Sequence, residues 1–138
     1  PRVQRDGSPE RLQSLGVLHV AFRLWPRAVW TTAGRFGNAL VFNGTSAQVT
    51  VANSTSLRLT TAMTLEAWVY PTTAPSGWRA VIAKNVDGYY LMGSTDVSNR
   101  VGVGGTWTSG NQNTFGPSAL AVNTWTHLAA TFDGAMVR

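Results

Sequence analysis

Cysteine is absent from this 138-residue chain, lysine occurs once, and histidine occurs only at His19 and His127. The lack of cysteine excludes thiolate nucleophiles, thiolate metal sites and disulfides, and it leaves the compartment open. A chain of this length buries roughly two-thirds of the surface its unfolded form exposes, so one domain with an ordinary apolar core needs no metal or disulfide merely to fold. Long apolar runs are missing too. The longest, LGVLHVAFRLW from Leu15 to Trp25, is broken by His19 and Arg23 and falls well short of the roughly 20 apolar residues a spanning helix needs. It also makes a poor secretion leader, because Asp6 and Glu10 stand where positive charge belongs and no small-residue cleavage site follows.

Charge is sparse and mostly of one sign. The net charge is +5 and the isoelectric point about 10.8, values that raise the question of nucleic acid. The distribution argues against it. Residues 1–27 carry five arginines against Asp6 and Glu10, whereas Arg35, Arg58, Arg79, Lys84, Arg100 and Arg138 are scattered along the rest of the chain. A nucleic-acid surface gathers its cations on one face with aromatics between them, so these charges read as solvated surface and neither nucleic acid nor a membrane is expected as a partner.

Organised catalytic groups are equally scarce. Glycoside hydrolysis needs two carboxylates flanking one bond at roughly 5 to 9 Å, and Glu66 stands alone in its segment; a glycosidase is not expected. No G-x-S-x-G elbow offers a serine nucleophile. The glycine run VGVGG continues into TWTSG rather than into a helix that would present its N-terminus to a phosphate.

What the sequence does have is a recurrent strand pattern. Short alternating or β-branched stretches occupy 39–42, 47–51, 63–70, 79–84, 89–93, 100–104 and 125–132, separated by Gly, Pro, Asn and Ser. Asn43-Gly44, Asp87-Gly88 and Asp133-Gly134 supply the positive φ angles that tight hairpins demand, and no stretch sustains a 3.6-residue apolar period. The fold class is all-β: an antiparallel β-sandwich of the jelly-roll type.

The stretch WTTAGRFGNALVFNGTSAQVTVANSTSLRLTTAMTLEAWVYP, followed by WTHLAATFDG, resembles the laminin G-like jelly roll, a branch of the concanavalin A-like lectin and glucanase superfamily. The resemblance spans about residues 28–138 and rests on the combination of a G-x-F-G-N-A-L lead-in, an F-N-G-T turn, an E-A-W-V strand and W-x-H-L-A-x-T-F-D-G. It implies two curved sheets packed face to face, binding of carbohydrate or protein, often a structural calcium ion, and a bacterial secreted or cell-surface setting. Two departures stand out. In the family the D-G turn leads into a full strand and then further closing strands, whereas here it is followed only by AMVR; and residues 1–27 resemble nothing in the family, reading either as a foreign segment or as an unusual native strand through VLHVAF. The expectation is therefore a non-family segment over 1–27 and a truncated domain over 28–138, incomplete at its C-terminal end. An incomplete sandwich exposes an unpaired edge, so that edge is expected to be completed by homodimerisation or strand exchange.

Two function classes follow. The first is a carbohydrate-binding, lectin-like module. Of six tryptophans, Trp78 and Trp107 fall in apparent turns, where they can stack on pyranose rings while Asn111, Gln112 and Asn113 hydrogen-bond hydroxyls; Trp68 and Trp125 fall in strands and are expected in the core. The second is a metal-dependent hydrolase. By alternation His127 shares a face with Trp125, Ala129 and Thr131, and the resemblance places its strand beside that of Glu66, so Glu66 and His127, with His19 from the same chain or a partner, form the candidate zinc ligands. With no organised nucleophile, a metal-bound water is the one available, and the expected substrates are activated esters or phosphotriesters. Zinc or another divalent metal is the candidate cofactor. Calcium at Asp87, Asp96 or Asn99 is a weaker candidate, since no dense carboxylate loop is present.

Overall fold

The computed structural model describes the backbone of residues 11–14, 17–25, 28–84 and 88–138, with side chains from Ala28 onward within those ranges. It is all-β and antiparallel, the jelly-roll sandwich class expected from the sequence. Among the described residues the only helix is a single 3-10 turn, Thr55–Leu57, and no helix is long and apolar enough to cross a membrane.

The chain divides into two compact units, residues 1–58 and 59–138. In the first, β1 (Arg11–Ser14), β2 (Val17–Trp25) and β5 (Gln48–Val51) form a sheet in the order β1-β2-β5, so VLHVAF does pair as a strand. A separate hairpin joins β3 (Val29–Gly34) to β4 (Gly37–Val41) through a turn at Arg35 and Phe36, entering β4 at Gly37, whose φ of +91° only glycine adopts at little cost. Asn43-Gly44 is a correction to the hairpin expectation. The Asn43 amide oxygen accepts from the N–H groups of Thr45, Ser46 and Ala47 at 3.1, 3.0 and 2.9 Å, which organises a loop between β4 and β5, and these strands pair elsewhere rather than with each other.

The second unit holds β6 (Met63–Val69), β7 (Arg79–Lys84), β8 (Tyr89–Ser94), β9 (Arg100–Trp107), β10 (Gly110–Ala119) and β11 (Thr126–Phe132). The sheet β10-β9-β8-β7 faces the pair β11-β6. Alternation decides what lies between them. Met63 and Leu65 of β6, Leu128, Ala130 and Phe132 of β11, Tyr89 and Leu91 of β8, and Val103 and Trp107 of β9 are buried in one cluster. Each large apolar side chain so buried contributes roughly 1.5 to 3 kcal/mol relative to exposure. Burial of Tyr89 also raises its phenolic pKa, because a phenolate would have to give up water.

Trp107 closes one end of this core. Its ring stacks on Phe132 at 4.0 Å between centroids and 19° between planes, covers Gly105 on its own strand, and donates Nε1–H to the Leu59 carbonyl at 3.3 Å. The turn begins only after it, at Thr108 and Ser109, and returns through Gly110 at φ +101°. At the other turn of interest, Asp133-Gly134, the Asp133 carboxylate accepts from the N–H groups of Ala135 and Met136 and pairs with the Arg138 guanidinium. Arg138 in turn exchanges backbone hydrogen bonds with Thr131 at 2.8 Å each way, so the returning chain lies alongside β11. The Gln112 side chain reaches this returning chain, donating to the Ala135 carbonyl at 2.7 Å and accepting from Val137 N–H at 3.2 Å. Asp87 lies outside the described residues.

Candidate functional site

The outer face of the four-stranded sheet is built around two glycines of β9. Cross-strand registry aligns Tyr90 of β8, Gly104 of β9 and Asn113 of β10 in one row, and Met92, Gly102 and Phe115 in the next. With no side chain on the central strand, its neighbours fold inward over it. The Tyr90 hydroxyl donates to the Asn113 amide oxygen across Gly104, and Phe115 lies over Gly102 together with the Thr95 methyl. A methyl group at Gly104 would collide with the Asn113 amide oxygen and come within 2.6 Å of the Tyr90 hydroxyl.

Trp78, from the loop between β6 and β7, meets this row. Its ring stands at 88° to that of Tyr90, centroids 6.0 Å apart, and it remains 47% exposed. The loop is held by Gly77, at φ +63°, whose N–H donates to the Asn99 side chain at 3.2 Å. Asn111, two residues before Asn113, is also exposed and by alternation shares its face. The result is a notch formed by a half-exposed indole, a perpendicular phenol and the Asn113 carboxamide bonded to it, with Asn111 one row further along the same face. At the far end of the same face the Arg100 guanidinium sits over the Phe115 ring at 5.9 Å.

Trp78, Tyr90 and Asn113 thus meet on one face of the sheet, and Asn111 shares that face by alternation. Trp107 is not part of it. It is 7% exposed, stacked on Phe132 and with its benzo carbons against Gly105, so no sugar can stack on it. Gln112 points to the opposite side, into the contacts with Ala135 and Val137 described above. Both errors were readable as parity: Trp107 keeps step with Val101 and Val103, and Gln112 is out of step with Asn111 and Asn113.

The outer face of the β6–β11 pair carries a second cluster. Registry sets Trp68 opposite His127, Glu66 opposite Ala129 and Thr64 opposite Thr131. His127 Nε2 lies 3.7 Å from Glu66 Oε2, and the His127 ring lies 5.1 Å from that of Trp68, tilted 33°. Tyr70 and Trp125 extend the row at 5.3 Å and 50°. Trp68 is 40% exposed rather than in the core, and Trp125 is half-buried, because Met63 and Leu65 take the inward parity on β6 and Leu128 and Ala130 take it on β11. Glu66 and His127 thus do approach on one sheet face. The side chain of His19 lies outside the described residues, and among those described no group of three or more His, Cys, Asp or Glu side chains comes together.

The sequence model of the concanavalin A-like lectin/glucanases superfamily, in its laminin G form, matches residues 43–138, and the chain belongs to that family. No curated protein and no solved structure matched the chain.

Proposed function

We propose that this domain is a carbohydrate-binding module and that Trp78, Tyr90, Asn111 and Asn113 form its sugar site. The observation that carries the reading is the half-exposed Trp78 ring held perpendicular to Tyr90 beside the Asn113 carboxamide. A pyranose has one apolar C–H face and a rim of hydroxyls. An open indole takes the first, and amide groups that both donate and accept take the second. The supporting loop is tied down by Gly77 and Asn99, so little ordering is left to be done on binding. A polysaccharide panel screened by affinity electrophoresis tests the reading. Retardation by at least one neutral glycan, lost in Trp78→Ala, is the expected outcome, and uniform silence across the panel removes it.

A second reading is favoured by one distance. Ligand bonds of roughly 2.0 to 2.2 Å to a tetrahedral zinc put a histidine nitrogen and a carboxylate oxygen about 3.4 Å apart, close to the 3.7 Å between His127 Nε2 and Glu66 Oε2. These two residues would hold the metal, and a second copy of the chain would supply a third ligand. A bound zinc supplies a water acidic enough to ionise near neutral pH, which suits activated esters and phosphotriesters. The residues' own contribution is a fixed pair of donors beside the Trp68 ring, on which an aryl leaving group can rest. Metal content of the purified protein, and activity on an aryl ester and a phosphotriester after chelation and zinc return, test this reading. Activity that survives both chelation and His127→Ala rules it out.

A further inference from the structure

We propose that the outer face of the β6–β11 pair is a second ligand surface, for chains of amine-bearing sugars, on the opposite side of the sandwich from the Trp78 notch and independent of it. Four groups carry the inference: the Tyr70–Trp125 pair, Trp68, and the Glu66 carboxylate.

The placement follows from registry. Trp68 with His127 and Glu66 with Ala129 are successive cross-strand rows on one face, and the Tyr70–Trp125 ring pair continues them just beyond the strand ends; rows two residues apart are separated by roughly 7 Å, the scale of one pyranose ring. A sugar chain laid along the strands therefore meets ring faces in two rows and a carboxylate in the third. Tyr70 and Trp68 are 42% and 40% exposed, and the Glu66 side chain is 67% exposed. The core of the sandwich lies on the other side of these two strands, so the face is separate from the row of Tyr90, Gly104 and Asn113.

Charge selects the ligand. Ring faces attract both C–H groups and cations, whereas a carboxylate beside them favours a cation specifically. The Glu66 carboxylate lies 3.7 Å from the His127 ring nitrogen, and the Arg138 guanidinium is bound to Asp133. The chain as a whole carries +5, which repels a cationic ligand at a distance, so a preference for amines has to come from this local acid and the rings around it. Glucosamine units join a pyranose ring to an ammonium group and match both halves of the surface.

The test is calorimetric titration of the full chain, with chelator present so that no metal bridges Glu66 and His127, using glucosamine hexamer, its fully N-acetylated counterpart and a neutral glucose hexamer. The glucosamine hexamer should bind about five- to tenfold more tightly than the other two, the size expected for one partly exposed ion pair plus cation–ring contact. Glu66→Gln, an isosteric change at an exposed position, should erase that preference. Trp68→Ala should weaken the preference for the glucosamine hexamer, and the preference should persist in the Trp78→Ala background. Equal affinity for all three ligands, selectivity that survives Glu66→Gln, or loss of that selectivity in Trp78→Ala overturns the proposal. Failure of the Trp78 site alone, with the Glu66-dependent preference intact, overturns only the sugar site proposed above.

Discussion

The Tyr90 hydroxyl and the Asn113 amide oxygen are joined by a hydrogen bond that passes over Gly104, linking β8 to β10 across the strand between them. Only a residue without a side chain permits it. Gly104→Ala puts a methyl group against both partners and within 2.7 Å of the Gln112 carbonyl, and should destabilise the domain by about 1 to 3 kcal/mol, as overpacked sites do. Tyr90→Phe keeps the ring against Trp78 but removes the donor, and should cost about 0.5 to 1.5 kcal/mol. Urea denaturation checks both; a Gly104→Ala protein as stable as the parent contradicts the geometry.

The two turn-region tryptophans should behave in opposite ways. Trp107, buried and stacked on Phe132, should cost about 3 to 5 kcal/mol when replaced by alanine. Trp78→Ala, at a half-exposed loop position, should stay within about 0.5 kcal/mol of the parent. Thermal melting of the two variants side by side is the check, and equal losses would mean that Trp78 is structural.

Much of the second unit was legible in the sequence because its strands alternate cleanly. MTLEAWV and THLAATF became β6 and β11 almost to the residue, and RAVIAK became β7. The strand GNQNTFGPSA was not anticipated. Its Gly, Asn and Pro read as loop, and what holds it is pairing with β9 and the inward Gln112 rather than any β-propensity of its own. At the sites, Trp78, Asn111 and Asn113 were visible as exposed polar or aromatic residues near turns. Tyr90 was hidden inside YYLMG, where only the register against Gly104 shows that it faces outward while Tyr89 faces in.

Asp133 gives the Asp133–Met136 turn a pH dependence. Pairing with Arg138 and the N–H groups of Met136 and Ala135 hold its carboxyl well below the ordinary carboxylate range. A folded-state pKa lowered in this way contributes stability that is fully present above the unfolded value, about 3.9, and is lost as pH falls below it. The melting-temperature gap between the parent and Asp133→Asn should therefore be largest near neutral pH and should close as pH drops below about 4. A gap that stays constant to pH 3 contradicts the assigned contacts.

Carbohydrate recognition by the Trp78 notch is the central claim, and titration of the best-binding neutral glycan into the parent and into Trp78→Ala measures it most directly. The account predicts weak but saturable binding to the parent, a loss of about 1 to 3 kcal/mol on removing the stacking ring, and an unchanged melting temperature in the variant. Undiminished affinity in a folded Trp78→Ala protein would contradict it.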